Sequence, residues 1–261
     1  MLHRNIDRMC PLKRHPFNDS LLFWLMGFDG FAMGSRWYDL TGGYYGNCVD
    51  CIFDKSEINQ YKLRLDGSGD YVNMGPIFDS LLTNFTVIVS ARVNALSTFQ
   101  NVIFKGSSQG QFGIFIGFPG GTNWLIQANG NVYGNTTLSA NVIYRFAYTI
   151  HPTVGISLYL NGVSDNTPGG ATSTATLGTD LTIGADAVNG RYVNGDIFDV
   201  QFHSKALSAN EIMVEYLDYL SGFPDRLNFL PEPSKNFVTS SGVGLIGSGL
   251  INNNPLIRSN F

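Results

Sequence analysis

Apolar and polar positions alternate in short stretches through most of the chain, with glycine, asparagine or proline between them. Residues 21–26 (LLFWLM) form a short continuous apolar run, the pattern of a buried strand. Residues 62–73 (KLRLDGSGDYVN) alternate around a glycine-containing turn, as half-buried antiparallel strands do. Residues 85–93 make the longest such run, and 101–105, 112–118 and 124–128 follow. Residues 144–150 and 156–160 read as a hairpin pair bridged by 151–155, and Asn161-Gly162 then suits a tight turn with positive φ. Residues 181–184 and 196–202 complete the series. Only residues 209–219 have a helical pattern, and Ser208 with Glu211 has the spacing of a capping box at its start. About a dozen short strands with almost no helix predict an all-β, antiparallel two-sheet β-sandwich. The segments do not recur at a fixed period, which argues against a propeller or solenoid.

Composition sharpens this picture. The 261 residues fit one large sandwich domain, and 44% apolar residues can fill a sizeable core. Charged residues make up only 14%, against roughly 25% in an average globular protein. A net charge of −4 gives no electrostatic reason to expect nucleic acid as a partner. The first residues are basic but lack the apolar stretch of a secretory signal, and no run is long enough to insert in a membrane. Residues 1–16 read as a basic N-terminal arm, 17–222 as the sandwich, and 223–261 as an extended C-terminal tail. That tail is rich in Gly, Ser and Asn with isolated Leu and Ile, too sparse to build a core of its own.

Seven segments in order resemble the laminin-G-like group of concanavalin A-like lectin/glucanase jelly rolls. They are residues 21–29, the loop 39–46 (DLTGGYYG), 65–72 (LDGSGDYV), 144–149 (YRFAYT), 157–162 (SLYLNG), 181–185 (LTIGA) and the last strand running into 206–208 (ALS). The resemblance covers roughly residues 20–220 and implies a concanavalin A-like jelly roll, here with extended N- and C-terminal arms. Some members of this group bind Ca²⁺ through an acid of the glycine-rich loop and another on the last strand. Carried onto this chain, those positions are Asp39, with Asp29 nearby, and Asp199. The first acid of the last-strand pattern is replaced by Phe198, and the Asn and His of the loop by Tyr44 and Tyr45. Calcium wants six to eight oxygen ligands, so Ca²⁺ is the one cofactor considered and otherwise none is expected.

The same fold hosts lectins, glycanases and structural domains, so function must be argued from side chains. Exposed aromatics stack on sugar rings, and Tyr44, Tyr45 and Trp124 are the candidates for carbohydrate binding, with Trp37 and Tyr133 behind them. Glycoside hydrolysis needs two carboxylates flanking the bond. The glutamates at 57, 211, 215 and 232 are scattered, and Asp196 and Asp199, three apart, fall on opposite faces of a regular strand. His203 is expected to face solvent or to cap the strand end. Cys48 and Cys51 have C-x-x-C spacing, but no second pair completes a zinc site, so they read as ordinary thiols. These features point away from an enzyme. The N-terminus without a secretory signal and the arms at both ends predict a virion structural protein, a capsid decoration or tail-associated component of a phage, with a lectin-like domain. Its arms would hold it in a homo-oligomer or against other virion proteins. The alternative is a glycan-binding or adhesion module that is extracellular or at a cell surface.

Overall fold

A computed structural model of the chain describes residues 19–26, 32–33, 35–41, 43–55, 61–78, 84–106, 112–117, 121–128, 130–169, 179–186, 189–221, 238–239 and 242–243. The N-terminal arm and most of the tail lie outside them, as does Asp29.

The strands are β1 (Leu21–Met26), β2 (Ala32–Met33), β3 (Arg36–Tyr38), β4 (Tyr45–Val49), β5 (Ile52–Lys55), β6 (Tyr61–Asp66) and β7 (Tyr71–Asn73). Then come β8 (Phe85–Val93), β9 (Gln100–Lys105), β10 (Phe112–Ile116), β11 (Trp124–Ala128), β12 (Asn131–Tyr133), β13 (Ile143–His151) and β14 (Gly155–Leu160). The last are β15 (Val163–Gly169), β16 (Leu181–Ile183), β17 (Ala185–Asp186), β18 (Arg191–Tyr192) and β19 (Asn194–His203), followed by α1 (Ala209–Leu220). In the tail, β20 (Val238–Thr239) pairs with β21 (Gly242–Val243).

Two antiparallel sheets result. An eight-stranded sheet runs β15-β14-β13-β8-β19-β6-β5, with β1 also paired to β19, and a nine-stranded sheet runs β12-β11-β10-β9-β16-β7-β4-β3-β2. The turn at Gly67–Gly69, which joins two alternating runs, carries the chain from one sheet to the other; both glycines have positive φ. The inner faces meet in one apolar core in which Phe85 and Phe202 stack at 5.2 Å and Phe78 and Phe202 at 4.4 Å.

The last strand departs from regular alternation. A bulge between Ile197 and Asp199 inserts Phe198, so Asp196 pairs with Arg92 and Asp199 with Ser90 on the same outer face. The expectation that the two acids face opposite ways is thereby corrected. Neither acid is solvated: Asp196 binds Lys62 and Arg92, and Asp199 takes Arg145 Nη1 at 2.9 Å on both oxygens.

Helix α1 covers this outer face. Ile212 packs with Ile88, Ala147, Tyr159 and Leu207, and Tyr219 with Trp24, Met26 and Leu40. The capping box forms as the spacing predicts, with Ser208 and Glu211 exchanging bonds, an arrangement worth about 1 kcal/mol. Burial opposes the Glu211 charge, but Lys205 and the Ser208 bonds outweigh it and hold the carboxyl below its ordinary value. Beneath the helix lies a buried polar cluster. Arg145 stacks over the Tyr219 ring at 4.8 Å and lies 3.8 Å from Glu215. Gln201 joins them, its amide nitrogen donating to Glu215 and its oxygen accepting from Arg145, each at 3.1 Å. His203, the last residue of β19, belongs here too and does not face solvent: it is fully buried between Ser20 at 3.2 Å and Gln201 at 3.3 Å. Among the described residues no helix is long and apolar enough to cross a membrane.

Candidate functional site

The site is built on the outer face of the nine-stranded sheet. Strand β4 alternates: Gly46 and Cys48 turn inward, while Tyr45, Asn47 and Val49 turn out. Position 46 has to be glycine, because a Cβ there would stand 2.2 Å from Val72 and 2.6 Å from Met74. Close approach of β7 is what brings Asn73 beside Asn47, its partner in the ladder. Arg36 of β3 pairs with Asn47, so Arg36, Asn47 and Asn73 form a polar row across three strands. The row repeats at the strand spacing of about 4.8 Å, close to the length of one sugar ring.

An open cleft of about 520 Å³ lies along this row, lined by Tyr44, Tyr45, Asn47, Val49, Asn73, Met74 and Asp180 among others. Tyr45 is 45% exposed, and its ring is steadied by the Arg36 guanidinium, 4.5 Å from the centroid, and by Tyr38 at 6.2 Å. Tyr44 is anchored differently, its ring edge-on to Phe23 at 6.4 Å and tilted against Phe78 at 5.8 Å. One tyrosine is thus a half-exposed platform with Arg36 on one side, and the other a wall rooted in the core. The polar groups are pre-set: Asn73 Nδ2 donates to Asp180 Oδ2 at 2.8 Å, and its Oδ1 accepts from Gly75 N at 2.7 Å. The side chain of Asn47 is exposed and has no hydrogen bond to the described residues.

The family model described as the concanavalin A-like lectin/glucanases superfamily matches residues 66–213. The chain belongs to this superfamily. The matched segment starts after β4, so Asn73 and Asp180 fall inside it and Tyr44, Tyr45 and Asn47 outside. No curated protein matches the chain in sequence. Among solved structures, domain 4 of AbnA, an extracellular arabinanase from Geobacillus stearothermophilus in complex with arabinotriose, superposes with TM-score 0.59. Its identity is 16%, over 75% of this chain and 97% of that one. Trypanosoma rangeli sialidase in complex with the inhibitor DANA superposes with TM-score 0.56 at 15% identity, over 76% of this chain and 32% of that one. The receptor binding domain of botulinum neurotoxin type G gives TM-score 0.56 at 14% identity, over 77% and 51%. The chain therefore spans about a third of the sialidase and half of the neurotoxin domain, and at these identities the likeness is one of fold.

The superfamily's calcium positions do not fit a metal here. The Asp39 carboxylate accepts from Trp24 N at 2.7 Å, Thr41 N at 3.0 Å, Gly43 N at 3.1 Å and the Thr41 hydroxyl. Four donors fill a carboxylate's acceptor sites, so Asp39 builds the loop instead of presenting oxygens to a cation. Asp199 is committed to Arg145 in the buried cluster, and Asp29 lies outside the described residues. Among the described residues no three His, Cys, Asp or Glu side chains converge as a metal site.

Of the aromatic candidates, Tyr44 and Tyr45 come together at the cleft and Trp124 does not. Trp124 is fully buried, packs on Phe146 at 5.2 Å and donates from Nε1 to Asp165 at 2.8 Å. A ring with no exposed face cannot stack on a sugar, so the expectation at Trp124 is corrected. Trp37 is likewise buried, its Nε1 donating to Met26 O at 2.9 Å. Tyr133 is 40% exposed on β12, six strands from β4, roughly 29 Å at the usual spacing. The polar half of the cleft escaped sequence reasoning, because Asn47, Asn73 and Asp180 are far apart in the chain and none is itself a position of the motifs read there.

Proposed function

We propose that this domain is a non-enzymatic carbohydrate-binding module whose ligand lies in the cleft between Tyr44, Tyr45, Asn47, Asn73 and Asp180. The observation behind this reading is the exposed Tyr45 ring held beside an uncommitted amide and a carboxylate. A sugar offers an apolar C–H face to an aromatic ring and hydroxyls to planar polar groups, and pockets of this make-up orient such ligands. Superfamily membership and the arabinotriose complex of the Geobacillus domain support it. Hydrolysis is not part of the proposal, because among the described residues Asp180 is the one carboxylate lining the cleft and the reaction takes two. Elsewhere Glu211 serves the helix cap and Glu215 lies in the buried cluster. The test is calorimetric titration against glycans identified on an array. Tyr45→Ala is expected to weaken binding at least about tenfold, or 1.4 kcal/mol, with an unchanged melting temperature. Equal affinity in the variant contradicts the assignment.

We also propose that the module works within an assembly, a virion, held there by its termini. This rests on the basic residues 1–16 and the Gly- and Asn-rich residues 223–261, since arms that order on a neighbour are a common device of assembled shells. Light scattering of the full chain should give a trimer or larger, and a version ending at Gly222 a monomer. Monomers in both cases remove self-assembly through the tail; the module would then be reread as an extracellular or cell-surface adhesion domain.

A further inference from the structure

Between β4 and β5 the chain leaves the nine-stranded sheet and enters the eight-stranded one. The corner is made by Asp50, whose φ of 54° lies in the left-handed region that Asp tolerates better than most residues. Cys48 precedes it and Cys51 follows. Both are free and partly accessible, and both pack against the edge of the core. They also sit over the same short piece of β7. Cys48 pairs with Val72, and the Cys51 thiol donates to the carbonyl of the adjoining Tyr71 at 3.4 Å. Both side chains turn to the core edge on either side of the Asp50 bend, close enough for Cys51 to raise the Cys48 thiol above its ordinary value. The sequence alone suggests two ordinary thiols; the sharp bend makes them a pair.

We propose that Cys48 and Cys51 form a dithiol that low-molecular-weight disulfides oxidise reversibly to an intramolecular disulfide. The Cys51 thiolate attacks one sulfur of the small disulfide, breaking its S–S bond and releasing one thiolate. The Cys48 sulfur then loses its proton to solvent and attacks Cys51 Sγ, closing the internal S–S bond and expelling the second small thiol. Two protein thiols are oxidised by two electrons, and one small disulfide is reduced to two thiols. The order follows from the environment. The neighbouring Cys51 thiol, then burial, then the charge of a Cys51 thiolate all raise the Cys48 thiol above its ordinary value, so Cys48 keeps its proton longer and acts second. The bond would clip the sheet-to-sheet corner at the end of β4, the strand that presents Tyr45 and Asn47.

The experiment treats the full chain with oxidised glutathione, blocks remaining thiols with N-ethylmaleimide and weighs the product. The chain has three cysteines, so the reduced protein takes three blocking groups. The oxidised protein should carry one blocking group or one glutathione, in either case at Cys10, with Cys48 and Cys51 free of both, and dithiothreitol should restore three blocking groups. Trypsin should release residues 37–55 as one peptide two hydrogens lighter than its reduced form. Cys48→Ser should instead retain glutathione on Cys51, because the second attack is lost. Three blocking groups after oxidation overturn the proposal, as does glutathione persisting on Cys48 or Cys51 of the unaltered protein, or a dimer linked through either residue.

Discussion

Replacing Arg145 with alanine is expected to lower the stability of the folded domain by about 3–5 kcal/mol. The guanidinium is 2% exposed and Asp199 and Glu215 are each 1% exposed, so removal leaves two buried carboxylates facing a void. It also removes the cation over the Tyr219 ring and the donors to Ser90 Oγ and Gln201. Those contacts tie α1 to β8, β13 and β19, so the helix should loosen first. Urea unfolding followed by tryptophan fluorescence and far-UV circular dichroism measures the loss. Replacing Arg145, Asp199 and Glu215 together by apolar residues of similar size should cost much less, because no uncompensated charge remains. A single variant within 1 kcal/mol of the parent would show that the cluster is hydrated.

Trp124→Ala is expected to cost about 3–5 kcal/mol through the cavity and lost transfer energy of a large buried ring. The ring fills the core beside Phe146 and lies so near Gly134 that a Cβ there would be 2.0 Å from its Nε1. Its N–H is one of several donors to Asp165, which also accepts from Thr136 N at 3.0 Å and from the Thr136 hydroxyl. The loop 134–136 should therefore loosen with it. Glycan affinity of the fraction that remains folded should be unchanged, the reverse of what Tyr45→Ala does. Thermal unfolding and titration of the same samples separate the two effects. A variant of normal stability with lost binding would return Trp124 to the site.

The parts of this fold that were legible in the sequence are those set by local chemistry. The run 85–93 became β8 over the same residues, Asn161 and Gly162 take positive φ of 51° and 79° in the turn, and Ser208 caps α1. Strand β4 was not legible, because its residues fall in the glycine-rich loop and the C-x-x-C motif, and β3 and β5 beside it are too short to show an alternation. What makes β4 a strand is tertiary: β7 packs into the space left by Gly46. The bulge at Phe198 was hidden for the same reason, since period-2 counting cannot register one inserted residue. That residue reversed the reading of Asp199, and burial beneath α1 reversed that of His203. At the site, the sequence pointed to Tyr44 and Tyr45 as ring types in a loop. Asn47, Asn73 and Asp180 became neighbours only through the pairing of β4, β7 and β16.

The most direct test of the binding account is a crystal structure of the domain with the tightest oligosaccharide from the array. One sugar ring is expected to stack on Tyr45, with its hydroxyls on the Asn47 amide and the Asp180 carboxylate. A sugar bound elsewhere, such as beside Tyr133 at the far edge of the sheet, with the β4–β7 cleft left open, would contradict it.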